Sequence, residues 1–213
     1  MKAVSIVDYG IGNLLSVVRG FEYFQTKIEI INTSEQVMKA DRLVLPGVGA
    51  FQDGMRGLTE LGLVDSLKQY GQTGRPFMGI CLGMQMMLSQ SHEFGLHKGL
   101  DLIEGEVESI PPEGIDGTPH KIPHIGWNCL QTSSADSHWE NTILKDMVKG
   151  ASVYFVHSYR VIPKNPEHRL ADTFYDGQEI SAVIKKDNLY GCQFHPEKSG
   201  EIGLKILENF IRI

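Results

Sequence analysis

The chain has 213 residues, 41% of them hydrophobic and 22% charged, an ordinary balance for a globular protein and long enough for one sizeable core; it reads as a single domain over residues 1–213. A formal net charge of −6, with no Lys/Arg stripe, argues against nucleic acid as a partner. No apolar run reaches membrane-spanning length, the apolar start is too short for a signal peptide, and three scattered cysteines (Cys81, Cys129, Cys192) exclude a disulfide framework, so a cytoplasmic protein is expected.

The first half alternates strand and helix signals. A strand is expected over Ala3 to Val7, a helix over Asn13 to Phe24, a strand over Lys27 to Ile31, and a strand over Arg42 to Leu45. Between the last two, Thr33-Ser-Glu-Gln36 has the capping-box pattern that starts a helix over Ser34 to Ala40. A further helix runs from about Gly62 to Tyr70, and Gly74-Arg-Pro76 leads into a strand ending at Cys81. Such alternation predicts an α/β fold, a mostly parallel sheet with helices on both faces. Gly10-Ile-Gly12 lacks the third glycine of a dinucleotide fingerprint, where Leu15 stands, and reads as a tight turn or contact loop.

Beyond Gly99 the texture changes. Strands are expected over Leu102 to Ser109, Ile122 to Gln131, Ser152 to Val161, Arg169 to Tyr175, Ile180 to Lys185 and Leu189 to Phe194, separated by turn signals such as Asp176-Gly177. This half predicts an antiparallel or mixed extension of the sheet, closed by an amphipathic helix over Ser199 to Ile211. Cys129 and Cys192 fall in strand-like segments and are expected in the core. His120 and His124 have helical ligand spacing, but Pro119 and Pro123 oppose a helix there, so no metal site is expected and no cofactor is implied.

Two motifs carry chemistry. An apolar strand, then Gly79-Ile-Cys-Leu-Gly83, then a helix-compatible run from Leu82 to Leu88 is the sequence form of a nucleophile elbow, a sharp strand-to-helix turn that exposes its central side chain. A helix N-terminus behind Cys81 favours thiolate over thiol. Far downstream, Cys192-Gln-Phe-His-Pro-Glu197 supplies a base, His195, and a carboxylate, Glu197, to orient it. Either residue type alone is usually structural; with the Pro46-Gly-Val-Gly49 loop beside them, they read as a Cys-His-Glu triad.

These motifs together resemble the class I, triad-type glutamine amidotransferases, whose fold is a flavodoxin-like α/β sandwich. Within that superfamily the chain is most similar to the glutaminase subunits of imidazole glycerol phosphate synthases, through Asp8-Tyr-Gly-Ile-Gly-Asn13, Pro46-Gly-Val-Gly-Ala-Phe51, Gly79-Ile-Cys-Leu-Gly-Met-Gln85, His124-Ile-Gly-Trp-Asn128, Tyr154-Phe-Val-His-Ser-Tyr159 and Gln193-Phe-His-Pro-Glu-Lys-Ser199. The resemblance implies that Cys81 attacks the side-chain amide of L-glutamine, that His195 protonates departing ammonia and then activates water, and that Glu197 holds the imidazole. It implies oxyanion donors at Leu82 and at Val48 or Gly49, and a glutamine pocket from Gln85, Glu93, Ser158 and Tyr159. It also implies a heterodimer with a cyclase (β/α)8-barrel subunit that receives ammonia through an internal passage, with Asn13, Trp127, Tyr154 and Lys198 facing the barrel. A Trp near a strand end is more often core than contact, which makes Trp127 the weakest member of that set. His92 and Asp101 depart from the family pattern without touching the triad. They leave room for a paralogue feeding ammonia to a related barrel, as in amidine formation on surface-polysaccharide sugars; a catalytically silent binding subunit is the third reading.

Overall fold

The computed structural model describes residues 3–133 and 138–213. In chain order its first half runs β1 (Val4–Val7), α1 (Leu14–Glu22), β2 (Ile28–Ile31), α2 (Ser34–Lys39), β3 (Arg42–Leu45), α3 (Phe51–Glu60), α4 (Val64–Gly71), β4 (Phe77–Ile80) and α5 (Leu82–Met86). Then follow β5 (Leu88–Ser91), β6 (His97–Lys98), β7 (Ile103–Ser109), β8 (His124–Cys129), β9 (Gln131–Thr132), β10 (Ser152–His157) and β11 (Tyr159–Pro163). The chain ends with β12 (Arg169–Tyr175), β13 (Gln178–Lys186), β14 (Leu189–Cys192) and α6 (Gly200–Arg212), and a 3₁₀ turn covers Pro196–Lys198. None of the described helices is long and apolar enough to cross a membrane.

The central sheet has the order β2-β1-β3-β4-β14-β13-β12-β9. Strands β2, β1, β3, β4 and β14 are mutually parallel, and β13, β12 and β9 continue antiparallel. Strands β1, β3, β4 and β14 are buried at every residue, as strands covered on both faces must be. One face carries Leu43, Leu45 and Phe77 against Val37, Leu58, Leu67 and Tyr70 from α2, α3 and α4. The other carries Ile6, Val44 and Met78 against Val17, Phe21, Ile206 and Phe210 from α1 and α6. The capping box is present: Thr33 Oγ1 accepts from Gln36 N, and Gln36 Oε1 accepts from Thr33 N.

The helix α3 has no counterpart in the sequence reading, because Gly54 and Gly57 interrupt its apolar stripe. Both are glycine for space. A Cβ on Gly54 would lie 2.7 Å from Met86 Sδ, and one on Gly57 would lie 2.8 Å from the Tyr9 carbonyl. In the opposite direction, the helix expected to reach Leu88 stops at Met86. The carbonyls of Met86 and Met87 are taken by Leu100 N–H and Leu102 N–H, so tertiary partners replace the helical ones.

The second half is more divided than expected. Besides the central sheet there are a pair β10-β8 and a four-stranded sheet β11-β7-β5-β6. The strand expected over Ser152 to Val161 is therefore two strands in different sheets, broken at Ser158, where His157 Nδ1 bonds the Tyr159 carbonyl at 2.8 Å and tightens the chain. The strand expected from Ile122 begins at His124, since Pro123 has no N–H for a ladder. Cys129 is a further correction: it is exposed, because side chains alternate along β8 and His124 faces inward while Ile125, Trp127 and Cys129 face out. Cys192 is buried, as expected.

His124 and His157 face one another across the β8–β10 ladder, with His124 Nδ1 3.1 Å from His157 Nε2. Since the Tyr159 carbonyl can only accept, His157 carries its proton on Nδ1, and its Nε2 accepts from His124. Both imidazoles are neutral. Burial is the main cause, lowering His124 to about 4 and His157 to about 3. A histidine that stays neutral while folded yet protonates near 6.5 when unfolded removes stability as pH falls below 6.5, down to its folded value. Unfolding free energy measured in urea should therefore fall towards pH 4 by about 6 kcal/mol from this pair, about 1.4 kcal/mol per pH unit for each histidine, while above pH 6.5 the pair adds no slope. The double variant His124→Gln/His157→Gln should show a shallower decline over the same window.

Candidate active site

Strand β4 ends and α5 begins with a single residue between them, Cys81, whose φ of 53° and ψ of −110° place it in a region that L side chains rarely adopt. The turn is so tight that neighbouring side chains have no room. A Cβ on Gly79 would lie 2.7 Å from the Gly83 backbone, and one on Gly83 would lie 1.8 Å from the Leu45 carbonyl oxygen of the adjacent strand. Both glycines of the elbow are thus required by close contact. The helix behind Cys81 has five residues, so the macrodipole expected to favour a thiolate is small.

Next to β4 in the sheet, β14 ends at Cys192 and delivers the Gln193 to Lys198 segment to the same place. His195 Nδ1 lies 2.8 Å from Glu197 Oε1, and both side chains are buried, with 3% and 1% exposure. With Nδ1 committed to the carboxylate, Nε2 is left without a hydrogen bond. Burial alone would lower the His195 pKa, but contacts with Cys81 and Glu197 outweigh it and push it up to about 9. Ser199 Oγ locks this turn by donating to the His195 carbonyl at 2.7 Å and accepting from Tyr154 N–H at 3.0 Å.

A cavity of about 510 Å³ opens over these groups. Of the residues singled out from sequence, it brings together Cys81, His195, Val48, Gly49, Leu82, Gln85, Glu93, Ser158, Tyr159 and Lys198. Glu197 lies behind His195, outside the lining. Asn13, Trp127 and Tyr154 also lie outside it. Trp127 is 58% exposed and stands opposite Tyr154 on the β8–β10 pair, with ring centroids 6.0 Å apart, so it is not a core residue. His92 pairs with Glu106 and Asp101 accepts from Ser89; neither lines the cavity.

The polar groups of the cavity are held in defined states. Glu93 accepts from Phe51 N–H at 2.6 Å, which caps α3, and its carboxyl is pushed up chiefly by burial. Gln85 Nε2 donates to the Tyr159 carbonyl at 3.3 Å and to Gln193 Oε1 at 3.2 Å. Both amide hydrogens are used, so the atom Gln85 can offer a ligand is its oxygen. The Pro46–Gly49 loop is pinned at two points: Tyr9 Oη donates to the Pro46 carbonyl at 2.8 Å, and Leu82 N–H donates to the Gly47 carbonyl at 3.3 Å. Leu82 N–H, expected to face an oxyanion, is here occupied by the loop. Gly49 follows with φ +94° and open space around it. Sequence reading assigned no role to Gln193, His157 or Phe94, which the fold brings against Cys81 or into the cavity wall. Gln193 and His157 left a trace, as residues inside the Cys192 to Glu197 and Tyr154 to Tyr159 motifs; Phe94 left none.

Residues 5–213 match the family described as glutamine amidotransferase class-I. The chain is 62% identical over 213 residues to the imidazole glycerol phosphate synthase subunit HisH 1 of Legionella pneumophila strain Paris, spanning all of both chains. It is 42% identical to the subunit HisH of Geobacillus thermodenitrificans over 213 residues, 100% of this chain and 97% of that one. Among solved structures, that of PurLQS from Thermotoga maritima is similar with a TM-score of 0.70 at 18% identity, covering 100% of this chain and 99% of that one. A glutamine amidotransferase from the same organism gives 0.58 at 15% identity, covering 99% and 83%. At these identities the structural likeness shows the fold, an α/β sandwich around a mostly parallel sheet. With the full-length sequence similarity it establishes that the chain belongs to the class I glutamine amidotransferases and, within them, to the HisH family of imidazole glycerol phosphate synthase subunits.

Proposed function

We propose that this chain is the glutaminase subunit of an imidazole glycerol phosphate synthase, hydrolysing L-glutamine at Cys81 and passing the ammonia to a cyclase barrel. The reading rests on one observation: a cysteine in strained backbone at the end of β4 shares a cavity with His195, whose far nitrogen is fixed by a buried carboxylate. Cys81 passes its thiol proton to His195 and attacks the side-chain amide carbon of glutamine through the sulfur. His195, oriented by Glu197, donates a proton to the departing ammonia, leaving a glutamyl thioester, and then takes a proton from the water that hydrolyses it. The Gln85 oxygen and the second Glu93 oxygen are suited to the substrate ammonium, and Ser158 and Tyr159 line the same wall. The protein would act in the cytoplasm as a single domain without a cofactor.

The acceptor side involves a second chain. Asn13, Trp127, Tyr154 and Lys198 are proposed to face a (β/α)8-barrel subunit that takes ammonia through an enclosed passage, forming imidazole glycerol phosphate and an aminoimidazole carboxamide ribonucleotide for histidine biosynthesis. Free ammonia would otherwise be protonated and lost. The exposed Trp127 and the exposed Lys198 at the cavity rim support that placement.

Three outcomes are expected. Cys81→Ala should abolish glutaminase activity measured with the barrel present, while Cys129→Ser, at an exposed position, should retain it. Because Leu82 N–H is occupied by the Gly47 carbonyl, the lone chain should hydrolyse glutamine slowly. The barrel with its acceptor ligand should raise turnover by at least about a hundredfold, roughly 2.7 kcal/mol and the worth of one aimed oxyanion donor. Gly49→Val, strained at φ +94°, should lower the stimulated rate far more than the basal one, in steady-state assays with and without the barrel.

A further inference from the structure

Gln193 is fully buried, and its backbone N–H is already satisfied by the Ala182 carbonyl, so its side chain is free to serve another purpose. Its Oε1 accepts from Gln85 Nε2 at 3.2 Å, and its Nε2 lies 3.8 Å from Cys81 Sγ, within donor range for sulfur. The orientation of this amide is determined by a group outside it. The Tyr159 carbonyl can only accept, so Gln85 must turn its NH₂ towards it and, with the second hydrogen, towards Gln193. Gln193 must then present oxygen to Gln85 and nitrogen to the sulfur.

We propose that Gln193 is a positioning residue for the nucleophile, its amide N–H holding the Cys81 sulfur in line with His195 while its oxygen holds Gln85 against the cavity wall. The inference rests on the reading of Cys81 as the nucleophile. A neutral amide suits this position because it donates to a thiolate as it forms, yet adds no charge beside the His195–Glu197 pair. A buried carboxylate would repel that thiolate, and an apolar side chain would leave the second Gln85 N–H unpaired and take from the sulfur its amide donor. The Tyr159 carbonyl, Gln85, Gln193 and Cys81 thus form one hydrogen-bonded run across the floor of the cavity, and a disturbance at the Ser158 bend is transmitted to the sulfur without passing through His195.

Alkylation of Cys81 by iodoacetamide, followed by peptide mass mapping, tests this without glutamine and so without the contacts of the substrate head group. In Gln193→Met, which keeps the length and loses the hydrogen bonds, the rate should fall about tenfold at a thermal midpoint close to that of the unsubstituted chain, the effect of losing one hydrogen bond to a charged group. An unchanged rate would overturn the role of Gln193 while leaving Cys81 as nucleophile. A Cys81 that does not alkylate even in the unsubstituted chain would overturn both. A second measurement needs no substitution at 193: the side-chain amide ¹H–¹⁵N resonance of Gln193 should move in Cys81→Ala, and a resonance that stays in place contradicts the contact.

Discussion

Cys81 sits at φ 53° in a backbone conformation that costs about 1–3 kcal/mol for a residue with a side chain, and the site depends on that strain being maintained. Three contacts maintain it. Cys81 N–H bonds the Cys192 carbonyl of β14 at 2.7 Å, Gln85 N–H bonds the Cys81 carbonyl at 3.1 Å, and Gly83 lies so close to Leu45 of β3 that no Cβ fits. The strands on both sides of β4 therefore clamp the turn. A parallel sheet with β4 inside it is what makes such clamping available, since an edge strand would have only one neighbour.

The same neighbour supplies the chemistry. Because β14 lies beside β4 in register, with Cys192 opposite Ile80, the residues that follow β14 arrive next to the residue that follows β4. The remaining wall comes from another sheet. Strand β10 brings His157 to its end, and the neutral His157–His124 pair turns the chain at Ser158 into β11, presenting the Tyr159 carbonyl to Gln85. An imidazolium at either position would put a poorly solvated charge against buried Phe155, so the pair works as a polar hinge only while it is neutral. The cavity thus combines a rigid floor from the central sheet with a wall whose shape depends on one hydrogen-bonded bend.

The parts of this arrangement that were legible in the sequence are those governed by local pattern. Continuous apolar runs marked the parallel strands, Thr33 and Gln36 marked a helix start, and Gly79-Ile-Cys-Leu-Gly83 marked the elbow. What could not be read locally was decided by distant partners. The glycines of α3 look like helix breakers until Met86 and Tyr9 are packed against them, and the break at Ser158 depends on His157, which pairs with His124 thirty-three residues earlier. Cys129 looks like any strand cysteine until the inward face of β8 is known. Gln193 was hidden for a related reason: an amide becomes part of a site only when Gln85 and Cys81, both over a hundred residues earlier, are placed beside it.

The central claim is that the clamped thiol, rather than any other group in the cavity, forms a covalent bond to substrate. Rapid quenching of the chain during glutamine turnover with the barrel subunit present, followed by peptide mass analysis, tests it most directly. The account predicts a glutamyl adduct on the peptide carrying Cys81, released by water and absent in Cys81→Ser. Turnover of glutamine with the adduct on Cys129 or Cys192, or with full activity and no adduct on Cys81 at any quench time, would contradict it.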